Sequence, residues 1–166
     1  MYLLDTNIYI NFYDRYYRKE YFPSFWNILP NILNKYVIIP DKVISEAFQS
    51  PWFNQWIDEH YEGKLLKSNQ YVARWGEVLN HVRTCGFYQE KALTSSGGWA
   101  EEKIADGWLI AIAKEENYTV VTQEEAVPSL NKDNPSKRAK IPDVCGQLGV
   151  RCINMNEFFK EVSLEV

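Results

Sequence analysis

The chain has 166 residues, 46% of them hydrophobic, with 18 Lys and Arg against 22 Asp and Glu for a net charge of −4. That length is enough for one domain, 1–166, with its own core, and no apolar run reaches the roughly 20 residues of a membrane span. The acidic balance excludes a simple electrostatic nucleic-acid binder, although bound divalent cations and a local basic patch can reverse the field at one site.

Tyr2-Leu3-Leu4 reads as a buried strand that runs into Asp5. Ile8–Tyr16 follows as a helix with Thr6 or Asn7 as its N-cap. Pro23 precedes a second apolar-periodic segment through Phe25, Trp26, Leu29, Ile32 and Leu33, which Pro30 is expected to kink or split. Val37-Ile38-Ile39, closed by Pro40, is a second buried strand. Asp41 caps a helix from Lys42 to Gln49, and Pro51 opens another. Tyr71, Val72, Trp75, Val78, Leu79 and Val82 mark an amphipathic helix within Ser68–Thr84. Ser95-Ser96-Gly97-Gly98 is the clearest flexible break.

Ala105–Glu116 is a further helix, with Asn117 at its C-terminal end. Thr119–Thr122 is a third strand, and a polar stretch runs from Ser129 to Lys140. Pro142 opens a short helix, Val150–Ile153 forms the last strand, and Glu157–Val162 a terminal helix. Strands separated by helices imply an α/β fold with a parallel sheet under helical cover. The N-terminus lacks a basic region followed by an apolar stretch and a cleavage site, so a cytoplasmic location is expected. Cys85, Cys145 and Cys152 are an odd set read as buried, reduced thiols. With only His60 and His81 beside them, a closed zinc site is short of ligands.

Four acids fall at strand ends or helix starts: Asp5, Glu46 after the second strand, Asp106 and Glu124 after the third. Singly, Asp106 is a helix-start acid stabilised by the dipole, and Glu46 and Glu124 are solvated surface acids. Together, in a parallel sheet, they reach one edge, where ligands bind. Four clustered carboxylates repel unless cations compensate them, and oxygen donors without His or Cys suit Mg²⁺ or Mn²⁺. Such ions support phosphodiester hydrolysis.

Leu3-Leu4-Asp5-Thr6-Asn7, Ser45-Glu46, the Asp106 helix and Val121-Thr122-Gln123-Glu124 together resemble the PIN domain, from Asp5 to the last strand. That family comprises metal-dependent ribonucleases, including VapC-like toxins of prokaryotic toxin–antitoxin pairs. The resemblance implies a three-layer α/β/α sandwich on a parallel sheet of four to five strands. It implies an endoribonuclease using Mg²⁺ or Mn²⁺, with Asp5, Glu46 and Asp106 binding metal directly. Glu124 stands in the place of the family's fourth acid, where Asp is usual; it completes the catalytic set and is a candidate metal ligand, its longer side chain being a departure from the family pattern. Asn7 and Thr122 would hydrogen-bond the carboxylates. A cognate antitoxin and a homodimer are the implied protein partners.

The aromatic run Tyr13, Tyr16, Tyr17, Tyr21, Phe22, Phe25 and Trp26, and the segment Lys137-Arg138-Ala139-Lys140-Ile141-Pro142-Asp143-Val144-Cys145, are atypical of the shortest PIN toxins. Asp143 is either a fifth acid and metal ligand or a simple helix-start acid. Lys132, Lys137, Arg138 and Lys140 form a basic loop, and Arg15, Arg18 and Lys19 a second patch. They either bind an RNA backbone or are solvated; Arg15, Lys137, Arg138 and Lys140 are the candidate RNA-binding residues. Among the aromatics, burial or a partner surface competes with base stacking, for which Tyr16 and Tyr17 are the candidates. Two rival readings stand beside the nuclease. Asp5 after an apolar strand also resembles an aspartyl-phosphate phosphatase, but that chemistry usually has a second Asp two residues on, where this chain has Asn7. The other is a catalytically inactive PIN-fold binding module, against which the four retained acids speak.

Overall fold

The computed structural model describes residues 1–46 and 50–165. Its centre is a small parallel sheet of three strands in the order β1 (Tyr2–Leu4), β2 (Thr119–Val121) and β3 (Cys152–Ile153). Leu3 faces Val120 and Leu4 faces Val121, and all four are fully buried. The sheet therefore has three strands, fewer than the four to five expected. Val37–Ile39 contributes one parallel bridge at the outer edge of β1, where Ile38 N–H donates to the Tyr2 carbonyl at 3.0 Å. The chain then turns away, because Ile39 and Asp41 exchange backbone bonds with Leu66 instead.

Helix α1 (Thr6–Ile10) starts one residue after Asp5, which is its N-cap in place of Thr6 or Asn7. It passes into a π-turn, Asn11–Arg15, whose extra residue shows in the Tyr16 N–H bond to the Asn11 carbonyl at 2.8 Å. Helix α2 (Pro23–Tyr36) runs through Pro30 without splitting. Helix α3 (Asp41–Glu46) includes Asp41 as its first residue rather than its cap. The expected extension to Gln49 lies outside the described residues. The Asp41 carboxylate instead accepts from Ser68 N–H and Oγ, at 3.1 and 2.6 Å. Helix α4 (Pro51–His60) is capped by Ser50.

The Ser68–Thr84 stretch divides into a 3-10 turn, Ser68–Tyr71, and α5 (Val72–Thr84). Val78 and Val82 are buried there, whereas Val72 faces solvent. A short α6 (Lys91–Thr94) precedes the 95–98 turn. Helix α7 (Asp106–Glu116) is buried continuously from Gly107 to Ala113, because α5 covers one side while β2 and α8 (Ile141–Leu148) take the others. Asn117 ends it in the left-handed region at φ 56°. Gly107 lets α5 approach: a Cβ there would meet Trp75 Nε1 at 3.0 Å. Trp75 accordingly stacks on Trp108 at 4.4 Å and 4°. Helix α9 (Met155–Glu161) begins in a capping box between Asn154 and Glu157, which the sequence reading starts two residues late.

Phe12, Tyr17, Phe25, Phe53 and Phe159 join Trp26 and Trp56 in one aromatic cluster. Tyr17 stacks on Phe25 at 4.4 Å, which removes its face from base stacking; Tyr16 and Tyr21 are exposed, at 56% and 71%. Cys145 is buried, but Cys85 and Cys152 are only half-buried. Among the described residues, no helix is long and apolar enough to cross a membrane.

Candidate acidic site at the sheet edge

The C-terminal ends of β1 and β2 are locked together by side chains as well as by the ladder. Asp5 N–H donates to the Val121 carbonyl at 2.9 Å, and Thr122 Oγ1 donates to Asp5 Oδ2 at 2.7 Å. Asn7 braces the same point, with Nδ2 3.3 Å from Thr122 Oγ1 and Oδ1 accepting from Gln123 N–H at 3.2 Å. Glu124 N–H also donates to Thr122 Oγ1, at 3.1 Å. The two small polar residues expected to support the acids thus connect β1 to the chain leaving β2.

Glu46 joins two helix starts: it accepts from Thr6 Oγ1 at 2.6 Å and from Ala105 N–H at 3.2 Å. Ala105 precedes Asp106 at the start of α7. The acids from four separated segments feel one another. Burial, then Glu124 and Glu46, push Asp5 up to about 7, against the pull of the Thr122 hydroxyl. Asp106 is raised well above the usual carboxylate range by burial and by the charges of Asp5, Glu124 and Glu46, with Trp99 opposing. Two like charges 4 Å apart repel by about 4 kcal/mol at an effective dielectric of 20. A partly buried set of like charges is destabilising by itself and is relieved by protons or by a cation.

The donor chemistry, carboxylate and hydroxyl oxygen only, fits a hard divalent cation. The spacing is looser: among the described residues, no three His, Cys, Asp or Glu side chains close around one ion. Glu124 is already engaged, with Oε1 2.7 Å from Lys140 Nζ and Oε2 accepting from Ile141 N–H at 2.9 Å. Asp143 turns both oxygens to Val127 N–H at 3.1–3.2 Å, pinning the loop after β2. Burial raises its carboxyl first, and Glu124 adds to this.

Asp106 and Glu124 open into a cavity of about 580 Å³, a size ordinary for ligand pockets, lined on its other walls by Lys91, the Ser95–Gly98 turn, Trp99, Lys137, Arg138 and Lys140. Lys137, Arg138 and Lys140 also border a second cavity of about 510 Å³. The basic loop is held in place by a bridge between Ser136 and Tyr88. Among the described residues Lys91, Lys137 and Arg138 form no ion pair. Arg15 lines neither cavity; its guanidinium lies 3.5 Å from Asn11 Oδ1 on the π-turn.

Lys91, Trp99 and Thr6 are the site residues that sequence reasoning missed. The 95–98 segment is a hydrogen-bonded turn rather than a loose break: Gly97 N–H donates to Glu101 Oε1 and Gly98 N–H to the Ser95 carbonyl. The adjacent glycines were the available signal. A Cβ on Gly98 would lie 2.3 Å from the Leu93 carbonyl oxygen. Gly98→Ala is therefore expected to cost about 1–3 kcal/mol and to displace the cavity wall. Thermal unfolding checks this, and an unchanged midpoint would contradict it.

Fold and site together define an α/β protein with acids from four segments, Asp5 buried and the others partly so, where its parallel strands end. A family model described as a domain of unknown function, DUF4411, matches residues 2–166, and the chain belongs to that family. No curated protein and no solved structure matches it.

Proposed function

We propose that this chain is a PIN-like α/β/α nuclease, an endoribonuclease that hydrolyses RNA phosphodiesters with Mg²⁺ or Mn²⁺. The observation that carries the reading is that Glu46 and Glu124, from two further segments, add their charges to burial in raising the carboxyls of Asp5 and Asp106, so that acids from four segments act on one place. Such a cluster is costly for the fold and useful to a cation site. Asp5, Glu46 and Asp106 would hold the ion, drawing inward as their repulsion is relieved. A bound divalent cation supplies Lewis acidity for phosphodiester hydrolysis.

The remaining work belongs to the chain. Thr122 aims Asp5, and Asn7 aims Thr122. Thr6 and Ala105 N–H hold Glu46 between two helix starts. Lys91, Lys137 and Arg138, which form no ion pair among the described residues, offer positive charge along the cavity, where an RNA backbone would lie. From the resemblance to PIN toxins we further propose a cytoplasmic toxin controlled by a cognate antitoxin, acting as a homodimer.

Purified protein with Mn²⁺ is expected to cut single-stranded RNA internally. Asp5→Ala and Asp106→Ala should each lower the rate by at least about 10³-fold. Full activity in both variants would sink the mechanism. Phosphate release from a small phosphomonoester without RNA cleavage would favour the phosphatase, and RNA binding without either reaction the inactive module.

A further inference from the structure

Glu124 keeps different company from the other acids. Its partner Lys140 is a full positive charge at 2.7 Å, and both side chains are largely withdrawn from solvent, at 19% and 34% exposure. The side chains bonded to Glu46 and Asp5 are neutral hydroxyls, Thr6 and Thr122. Among the described residues, Glu124 is thus the one acid of the four that forms an ion pair.

Lys140 is also fixed in direction. It sits in extended backbone, at φ −121° and ψ 139°, immediately before α8, and its carbonyl receives Val144 N–H at 3.1 Å. Ile141 N–H holds the second oxygen of Glu124. The start of α8 therefore delivers the ammonium and the backbone donor to the carboxylate as a unit. An ammonium has three donors, and Lys140 borders both cavities.

We propose that the Lys140 ammonium is the built-in cation of this site. It neutralises Glu124, keeps that acid from ligating metal, and binds a phosphate oxygen of single-stranded RNA in the cavity. The chain then takes one divalent cation, on the side of Asp5, Glu46 and Asp106. This rests on the nuclease reading above. A second divalent ion on Glu124 would sit against the ammonium, and charges of one sign at that range repel. A compact ammonium is well suited to a phosphate oxygen.

The test is Mn²⁺ titration calorimetry on the wild type, Glu124→Gln, Lys140→Met and Lys140→Arg, with circular dichroism to confirm folding. Binding of a short labelled single-stranded RNA is measured in parallel by anisotropy in EDTA. Wild type and Glu124→Gln should each bind one Mn²⁺ with affinities within about threefold. Lys140→Met should bind RNA about tenfold more weakly and gain a second Mn²⁺; Lys140→Arg should restore the RNA affinity and the single Mn²⁺. Two Mn²⁺ in the wild type, loss of Mn²⁺ binding in Glu124→Gln, or wild-type RNA affinity in Lys140→Met would overturn the proposal. Glu124→Gln keeps it falsifiable if Lys140→Met does not fold. Folded wild type that binds no Mn²⁺ at all would overturn the metal-dependent nuclease itself, and this proposal with it.

Discussion

At pH 8 and without divalent cations, Asp5→Asn is expected to be more stable than the wild type by about 2–4 kcal/mol. Burial, followed by the charges of Glu124 and Glu46, lifts the Asp5 carboxyl from 3.8 to about 7 in the folded chain. An acid raised on folding keeps its proton in the native state after the unfolded chain has lost it. Its favourable contribution is complete below about pH 4, is lost as the pH climbs to about 7, and stays lost above. A displacement of that size corresponds to about 4 kcal/mol at most. Asn avoids the charge and still offers a carbonyl oxygen to Thr122. At pH 5 the gap should shrink to roughly 1.5 kcal/mol. Asp106 is raised for the same reasons and acts in the same direction. Urea denaturation of both proteins at pH 5 and pH 8 decides the matter, and equal stabilities at pH 8 would refute it. Mg²⁺ at 100 times its Kd should stabilise the wild type by about 2.7 kcal/mol and Asp5→Asn hardly at all.

Trp108→Ala should destabilise the protein by about 3–5 kcal/mol. Trp108 is 1% exposed, stacks on Trp75 and donates its indole N–H to the Glu102 carbonyl at 3.0 Å. The last bond anchors the segment that carries Trp99 to the cavity and Ala105 N–H to Glu46. On the proposed nuclease function, RNA cleavage should therefore also fall in Trp108→Ala at temperatures where it remains folded. Trp108→Phe retains the stack but not the donor, so it should lose less stability while still loosening that segment. A denaturation midpoint close to wild type for the Ala variant would show that the stack contributes little.

The parts of the site that were legible in the sequence are those set by neighbouring residues. An apolar strand running into Asp5, and an apolar helix opening on Asp106, are local patterns that survive without knowledge of the fold. Strand limits were less legible, because pairing depends on distant partners. Val37–Ile39 has the composition of a strand, yet Leu66 takes the bonds that would have continued it. The π-turn after α1 inserts one residue that a 3.6-residue period does not reveal. Pro30 stays within α2 because packing of Leu29, Ile32 and Leu33 outweighs one missing donor. The Lys140–Glu124 pair joins residues 16 apart across the loop after β2, and the Gly98 approach to Leu93 is a matter of shape. Neither leaves a periodic trace.

The pairing of β1 with β2 has a consequence for how the chain is made. Leu4 leaves the ribosome well over a hundred residues before its partner Val121. At synthesis rates of about 5–20 residues per second, that interval is on the order of ten seconds. Through it Asp5 lacks Thr122, and the acidic pocket does not exist. A nascent chain thus carries no assembled pocket until its last third has begun to emerge.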